Sequence, residues 1–414
     1  MTVKAEIISI GDELLIGQTV NTNAAWIGRE LSLLGIEIHR ITTISDQREE
    51  IISAISASPA DIILMTGGLG PTNDDITKST LASYFGSKLV RNTDIVQRIE
   101  SYFSQRGREV SEVNRQQADL PDNCTVLTNP LGTASGMWFE KNGKIVISMP
   151  GVPYETKAIM TNEVLPRLKE RFPLPHLVHR TILTQGIGES FLAEIIKDWE
   201  TRLRNDGLSL AYLPSPGIVK LRITAKGGEK NNLEKQVNTY INELLTLVPQ
   251  YIYGFENDRL EQLVGNLLTE KKQTLSTAES CTGGYIAHMI TSVPGSSAYF
   301  MGTVVSYSNR IKTEILEVKE ADLNNYGAVS REVVEQMALG IQKKFQTGYS
   351  IAVSGVAGPD GGSDEKPVGT VWIAIAFPGG VESKKFLFEA DRIRNIHRTA
   401  LTALTMLRKK LLEK

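Results

Sequence analysis

The sequence predicts an α/β protein of three domains. Two patterns lead to this prediction: short apolar runs alternate with helical patterns at both ends of the chain, and apolar and polar residues alternate in the segment between them. A chain of 414 residues allows two to four domains of roughly 100 to 200 residues each. We expect the domains at residues 1–171, 172–255 and 256–414. The content of 41% hydrophobic and 22% charged residues is typical of globular chains and argues against disorder or a fibrous repeat.

The first segment is predicted to form a parallel sheet covered by helices. Residues 7–10 are predicted to be the first strand, and residues 62–65 form a continuous apolar run typical of a central parallel strand. Between them, a helix is predicted to begin near an N-cap region at 21–23 and to end at Gly35. Its apolar residues recur at helical spacing: Ala24, Ile27, Leu31 and Leu34.

The two later segments follow different patterns. In the middle segment, three apolar residues alternate with three polar ones, which predicts a half-exposed antiparallel strand in a small α+β domain. These residues are Val219, Leu221 and Ile223, and Lys220, Arg222 and Thr224. A new α/β pattern begins with a helix at about 258–268. It ends with a helix at about 392–412, whose basic end suits the helix dipole.

Charge and cysteine content exclude several function classes. A formal net charge of -2 argues against nucleic acid as a partner, because such proteins carry a basic excess. Cys124 and Cys281 are too few for a disulfide framework or a zinc site. The N-terminus lacks the pattern of a signal peptide, and no apolar run reaches about 18 residues. We therefore expect a cytoplasmic protein without a membrane partner.

A glycine-rich motif at residues 66–77 follows a buried strand and precedes a predicted helix. Glycines let backbone amides approach a ligand closely, and amides at a helix N-terminus bind phosphate. Asp74 and Asp75 would repel a bare phosphate, but they could hold Mg²⁺ or a similar ion that bridges to it. Asp12 and Glu13, after the first strand, could join them. Alternatively, the aspartates are helix caps and the glycines form a tight turn.

These residues resemble the CinA family at residues 11–15, at 67–72 with Asp74 and Asp75, and at 150–153 with Glu155. The resemblance implies a MoaB/MogA-like three-layer parallel-sheet domain, related to molybdopterin-binding domains. Leu69 stands where those relatives typically have threonine, which argues against molybdopterin as the ligand. The resemblance implies cleavage of the pyrophosphate in ADP-ribose with a divalent metal, Mg²⁺, Co²⁺ or Mn²⁺. The positions that match are Asp12, Gly67, Gly68, Gly70, Asp74, Asp75 and Thr77. Our assignment of Asp12, Asp74 and Asp75 as metal ligands rests on residue type, not on the family.

Ser280 is the candidate nucleophile of the C-terminal domain. Residues 274–277 are predicted to form a strand, and Gly284 is predicted to open a helix, so Ser280 would lie on a strand-to-helix turn. Such a turn exposes the hydroxyl beside free helix amides, as a nucleophile and its oxyanion hole require. Thr282, Gly283 and Gly284 are candidate substrate-binding residues. Cys281 is an alternative nucleophile, and a third possibility is that the cluster only binds phosphate.

Lys312 is the candidate base. His288 and His397 fall inside predicted helices, where packing or surface roles are more common. A lysine can accept a proton if burial lowers its pKa toward neutrality, and Lys312 lies one helical turn beyond Ser308.

A second glycine-rich loop, residues 354–362, follows an apolar strand at 350–353. It exposes several amides to an anion and is the expected cradle for a 5′-phosphate. Its candidate binding residues are Ser354, Gly355 and Gly358. Arg392 could add a positive donor or could be structural.

These clusters resemble the C-terminal domain of CinA, a deamidase module for nicotinamide mononucleotide (NMN). The resemblance implies conversion of NMN to nicotinic acid mononucleotide and ammonia, through a serine assisted by lysine and tyrosine. The matching positions are Ser280, Lys312 and Tyr307. The middle segment resembles a KH-like fold but lacks the clamp loop of nucleic-acid-binding KH domains, so we expect a connector or a dimer element.

The resemblance therefore predicts a bifunctional hydrolase of pyridine-nucleotide recycling: a nicotinamide-nucleotide amidase with ADP-ribose pyrophosphatase activity. We expect a homodimer that binds NMN and ADP-ribose. The alternatives are a nucleotide-sensing regulatory protein and a molybdopterin-binding protein.

Overall fold

The computed structural model describes residues 3–72, 75–388 and 391–413. The chain divides into two compact units: residues 1–178 with 225–235, and residues 179–224 with 236–414. No helix within the described ranges is both long and apolar enough to cross a lipid bilayer.

The N-terminal domain is built on a six-stranded sheet of order β2-β1-β3-β8-β7-β6. Strands β1, β2, β3 and β8 are parallel, as predicted, whereas β7 and β6 are antiparallel and form one edge. Strands β4 and β5 form a separate antiparallel ribbon. The strands are β1 (Lys4–Ile10), β2 (Glu37–Ile44), β3 (Ile62–Thr66), β4 (Leu89–Arg91), β5 (Asp119–Pro121), β6 (Thr125–Leu127), β7 (Gly136–Lys141) and β8 (Lys144–Met149).

Helices cover both faces of this sheet, which confirms the predicted three-layer arrangement. Because successive side chains of a strand point to opposite faces, Ile7 and Leu64 pack with one group of helices, α2, α7 and α8. Ile8 and Met65 pack with the other, α3, α4 and α5. The helices are α1 (Asp12–Leu15), α2 (Thr22–Leu33), α3 (Arg48–Ala57), α4 (Thr77–Phe85), α5 (Thr93–Ser104), α6 (Glu112–Arg115), α7 (Pro153–Ile159) and α8 (Leu165–Arg171).

The predicted N-cap of the first long helix is confirmed at Asn21. Its side chain accepts a hydrogen bond from the amide of Ala24 at 3.0 Å, which satisfies one of the unpaired donors of the first turn. The Asn21 side chain therefore caps the start of α2 at the position that the sequence predicted.

The middle segment is a four-stranded sheet of order β10-β11-β9-β12 with three helices. The predicted alternation is confirmed in β11, where Val219, Leu221 and Ile223 are buried and Arg222 is exposed. Strands β10 and β11 pair antiparallel. The elements are β9 (Leu177–Gln185), α9 (Glu189–Ile195), α10 (Lys197–Asn205), β10 (Ser209–Ser215), β11 (Ile218–Lys226), α11 (Lys230–Leu247) and β12 (Ile252–Phe255).

The C-terminal segment forms a five-stranded sheet of order β14-β13-β15-β16-β17. Strand β13 lies between β14 and β15 and is parallel to both, while β16 and β17 are antiparallel. The strands are β13 (Leu275–Glu279), β14 (Phe300–Val305), β15 (Tyr349–Gly355), β16 (Thr370–Phe377) and β17 (Gly380–Leu387).

Helices cover this second sheet on both faces as well. Helix α16 packs on one face with Ala278, and α12, α13 and α17 pack on the other with Leu275. The last helix spans Arg392–Leu412, so its predicted limits are confirmed. The helices are α12 (Leu260–Glu270), α13 (Tyr285–Thr291), α14 (Asn309–Glu314), α15 (Glu320–Tyr326), α16 (Arg331–Phe345) and α17 (Arg392–Leu412).

Candidate functional site

Ser280 lies immediately after β13, on the turn that leads into α13. Its amide donates to the carbonyl of Val353 at 3.0 Å, so the pairing with β15 continues past the end of the strand. The residue is half-buried. Because β13 is a central parallel strand, the turn brings the hydroxyl to the carboxyl edge of the sheet, where ligands of α/β sheets bind.

Lys312 approaches the Ser280 hydroxyl from α14. The Lys312 side chain is buried, with 1% of its surface exposed. Its Nζ lies 3.1 Å from Ser280 Oγ and donates at 2.6 Å to the carbonyl of Ser306. Burial lowers the pKa of Lys312, because a charged ammonium loses its hydration in a low-dielectric setting. A neutral amine within hydrogen-bond distance of a hydroxyl can act as its base.

Cys281, the alternative nucleophile, points into the core. Its side chain is buried, and that burial raises the pKa of its thiol to about 12. The reactive form of cysteine is the thiolate, which is scarce near neutral pH at such a pKa. The geometry and electrostatics therefore favour Ser280 over Cys281.

Tyr307 pairs with Arg392 and not with the Ser280–Lys312 dyad. The Tyr307 side chain is largely exposed, and its hydroxyl accepts a hydrogen bond from Arg392 Nη2 at 2.8 Å. Arg392 also donates from Nη1 to the carbonyl of Gly358 at 2.6 Å. Arg392 thus joins the loop after β14 to the loop after β15, with its guanidinium beside the predicted phosphate loop.

The predicted phosphate loop is only partly open to a ligand. The Ser354 hydroxyl donates to the carbonyl of Ala328 at 2.6 Å, and Gly355 is the last residue of β15. The amide of Val356 donates to the carbonyl of Thr370 at 2.8 Å. Gly358 has a φ of 92°, a backbone conformation that favours glycine. Ser354 and Gly355 therefore hold the start of the loop, and an anion would meet the residues that follow.

Glu279 is a site residue that the sequence analysis missed. Its carboxylate is fully buried and accepts hydrogen bonds from the Thr282 hydroxyl at 2.7 Å and from the Gly284 amide at 3.0 Å. It also accepts from the amides of Ile286 at 3.0 Å and Ala287 at 2.8 Å. The expectation of free helix amides beside Ser280 is therefore wrong for Gly284, Ile286 and Ala287, because their amides donate to Glu279. The signal available in the sequence was a carboxylate directly before Ser280, just after the predicted strand.

Gly283 lies between these contacts in the same turn. Its φ of 61° is in the left-handed region that glycine adopts without strain, and its amide donates to the carbonyl of Ser280 at 3.1 Å. Gly283 therefore shapes the turn that carries the nucleophile.

The glycine motif of the N-terminal domain lines a cavity of about 560 Å³. Gly67 has a φ of 114°, and a Cβ there would collide with the carbonyl oxygen of Ile10. A Cβ on Gly68 would collide with the Thr77 hydroxyl, and one on Gly70 with the Asp75 carboxylate. The backbone contact and the positive φ make glycine necessary at Gly67.

The predicted metal ligands are not assembled within the described residues. Asp75 lines the cavity, but its Oδ2 accepts from the Thr72 amide at 2.9 Å and closes its own turn. Asp12 lies at the start of α1, where its amide donates to Asp46 Oδ2 at 3.2 Å. Asp74 lies outside the described residues. In the part of the chain that the structure describes, no three Asp, Glu, His or Cys side chains form a group that could hold a metal.

The cavity contains further polar residues besides Glu13, which the sequence analysis had placed near the aspartates. Glu13, Asp46 and Glu155 line it and are acidic. Burial raises the pKa of Glu155, whose carboxylate accepts from Asn129 Nδ2 at 2.7 Å. Gln117 also lines the cavity and is buried. These residues lie on segments far apart in sequence, so no local motif connected them.

Three family models match consecutive parts of the chain. The probable molybdopterin binding domain matches residues 6–170, the damage-inducible protein CinA KH domain residues 179–254, and the CinA C-terminal domain residues 257–411. A CinA-like protein of Cytophaga hutchinsonii is 48% identical over 413 residues, which cover 99% of each chain.

The chain belongs to the CinA family.

Other members share this full length. A putative competence-damage inducible protein of Caldicellulosiruptor bescii is 41% identical over 411 residues, with 99% of each chain covered. Among solved structures, a CinA superfamily protein of Klebsiella pneumoniae is 34% identical, with a TM-score of 0.36. That match covers 37% of this chain and 98% of the Klebsiella chain. The family membership agrees with the predicted resemblance in all three segments.

Proposed function

We propose that this CinA protein is a cytoplasmic bifunctional hydrolase of pyridine-nucleotide recycling, and that its C-terminal domain deamidates NMN. The observation that supports the deamidase most strongly is the buried Lys312 amine, 3.1 Å from the Ser280 hydroxyl. Burial lowers the pKa of Lys312, and its ammonium has no carboxylate partner among the described residues, so its equilibrium shifts toward the neutral amine.

In the proposed mechanism, Ser280 Oγ attacks the carboxamide carbon of NMN while Lys312 accepts the hydroxyl proton. The tetrahedral intermediate collapses by breaking the C–N bond, and Lys312 returns the proton to the leaving nitrogen, which departs as ammonia. Water then attacks the acyl-enzyme with Lys312 again as base, which releases nicotinic acid mononucleotide and regenerates Ser280. Arg392 provides a cationic partner for the 5′-phosphate.

The deamidase proposal is tested by chromatography of products after incubation with NMN. Ser280→Ala should lose at least about 10³-fold in turnover while binding of NMN is largely kept, because the hydroxyl acts mainly in the chemical step. Cys281→Ala is the adjacent control and should have a mild effect. The reverse pattern, with Cys281→Ala inactive and Ser280→Ala active, would make the cysteine the nucleophile. Binding of NMN by the wild-type protein without any product would indicate a nucleotide sensor instead.

We propose ADP-ribose as the substrate of the N-terminal domain, cleaved at its pyrophosphate to AMP and ribose 5-phosphate. The cavity lined by Gly67, Gly68 and Gly70 supports this, because a glycine turn allows backbone amides to approach phosphate oxygens. A magnesium-like ion needs only one or two carboxylates when substrate phosphates and water complete its shell. Asp75 lines this cavity together with Glu13 and Asp46, and one or two of these carboxylates would meet that requirement. When bound, the ion would neutralise developing negative charge on the diphosphate.

Metal dependence tests this second activity. Excess chelator should stop ADP-ribose hydrolysis and leave NMN deamidation in the same sample unchanged, since the Ser280–Lys312 chemistry uses no metal. The double variant Asp74→Ala, Asp75→Ala should behave like the chelated protein. Full ADP-ribose turnover in chelator, or in this double variant, contradicts the assignment.

A further inference from the structure

One buried side chain, that of Glu279, holds the turn that carries Ser280. Four groups of the turn and of the first turn of α13 donate to the Glu279 carboxylate: the Thr282 hydroxyl and the amides of Gly284, Ile286 and Ala287. All four distances lie between 2.7 and 3.0 Å, and Glu279 has no exposed surface. Because one buried side chain accepts from all four groups, the Glu279 carboxylate fixes the turn.

The same residue is connected to Lys312 through its backbone. The carbonyl of Glu279 accepts from the amide of Ser306 at 2.8 Å, and the carbonyl of Ser306 accepts from Lys312 Nζ at 2.6 Å. The side chain of Glu279 therefore holds the Ser280 turn in place. Its backbone carbonyl helps to position Lys312 through Ser306. A substitution of the Glu279 side chain should therefore disturb the Ser280 turn and preserve the position of Lys312.

The carboxylate also determines which amides remain for the reaction. Glu279 takes the amides at 284, 286 and 287, whereas the amides of Cys281 and Thr282 donate to no oxygen within the described residues. These two amides follow the nucleophile directly, in the position where acyl-transfer enzymes place an oxyanion hole.

From this geometry we propose that Glu279 is a positioning residue for the Ser280 reaction. Its buried carboxylate accepts the hydrogen bonds of the amides at the start of α13. In doing so it holds the amides of Cys281 and Thr282 toward the oxyanion of the tetrahedral intermediate. This inference rests on the proposed deamidase function. Glu279 itself touches no substrate and transfers no proton.

Glu279→Gln in the full-length protein is the test. The glutamine has the same size but keeps only one acceptor oxygen, and its NH₂ group faces hydroxyl or amide donors, so the turn loses one of its two acceptors. We expect kcat for NMN to fall about 100-fold, the size of effect seen when one oxyanion-hole donor is lost, with KM changed less than about threefold. The midpoint of the pH–rate profile should stay in place, because Lys312 is held by Ser306.

Binding of the product, nicotinic acid mononucleotide, separates positioning from general damage. Calorimetry should find about one site per chain with little change in affinity in Glu279→Gln. A purely structural role would lower the number of binding sites together with kcat. Glu261→Gln is the matched control, since Glu261 is also a buried carboxylate of the same unit but pairs with Arg259; it should keep wild-type kcat.

Thr282→Val gives a second, milder variant that removes one donor to Glu279. Its effect on kcat should be strongly non-additive with that of Glu279→Gln, because both act through one contact. Wild-type kcat in Glu279→Gln, or a loss explained by fewer binding sites, overturns the positioning role. If the wild-type protein forms no nicotinic acid mononucleotide, the proposed deamidase function fails instead.

Discussion

At the scale of single residues, Lys312 combines deep burial with a polar contact. Its Nζ contacts the Ser280 hydroxyl and the Ser306 carbonyl, and burial lowers its pKa, which shifts the amine toward its neutral form. Burying an amine costs free energy. Groups with perturbed pKa values cluster at functional sites, which supports a role of Lys312 as a base.

The pH dependence of NMN turnover should report this lysine. Because burial lowers the pKa of Lys312, the amine is neutral above that lowered pKa and charged below it. Turnover should therefore be constant at high pH and fall as pH drops through the lowered pKa. If NMN turnover does not fall at acid pH over the range in which the protein stays folded, Lys312 is not the base.

Lys312→Arg gives the matching substitution. Arginine keeps the charge and the donors but cannot lose its proton in a protein, so kcat should fall by about 10²- to 10⁴-fold. Lys319→Arg is the control, because Lys319 is exposed, and it should keep wild-type turnover. The measurement is the initial rate of ammonia release at saturating NMN.

At the scale of elements, both candidate sites lie where a buried parallel strand turns into a helix. Strand β3 leads through Gly67 to α4, and β13 leads through Ser280 to α13. The carboxyl ends of parallel strands share one edge of a sheet, so loops from neighbouring strands meet there. The two domains use this edge differently: one exposes a glycine turn and the other exposes a hydroxyl.

Gly67→Ala tests the glycine turn. The Cβ would collide with the Ile10 carbonyl at a φ of 114°, so the variant should lose roughly 1–3 kcal/mol of stability in the N-terminal unit. ADP-ribose turnover should fall, and NMN turnover should not change. Gly86→Ala controls for backbone strain alone, since Gly86 has a φ of 66° and open space around its Cβ. Equal melting temperatures and equal ADP-ribose rates for the two variants contradict the tight turn.

At the scale of the whole molecule, uncovered sheet edges lead us to expect a homodimer. Strand β14 is an edge strand of the C-terminal sheet, and Met301 and Val305 on it are exposed. Edge strands with exposed apolar side chains are usually covered or paired, and a two-fold dimer is the commonest way to do so. Light scattering at micromolar concentration should give twice the mass of the 414-residue chain. A monomer mass contradicts the prediction.

Much of the architecture was predictable because it depends on local patterns. The limits of α17, the Asn21 cap and the alternation in β11 follow from side-chain periodicity and capping chemistry within a few residues. The position of Ser280 after β13 also followed from a local pattern, a buried strand before a glycine-rich turn. The division of the chain at residues 171 and 255 stays a prediction.

The contacts that define the sites depend on tertiary structure. Lys312 meets Ser280 across 32 residues, and Arg392 meets Tyr307 across 85, because parallel strands bring distant loops to one sheet edge. Tyr307 was predicted to assist the dyad, and only the packing of α17 against that edge directs its hydroxyl to Arg392.

The sequence by itself determined on which elements the candidate residues lie, since periodicity, caps and glycine turns are short-range properties. Only the tertiary structure decided how those residues are used. In the folded chain Lys312 is buried, which lowers its pKa, and Cys281 lies in the core. The Glu279 carboxylate accepts hydrogen bonds from amides at the start of α13. Burial and hydrogen-bond partners depend on what packs against a residue, and that is set by chain segments far away in the sequence.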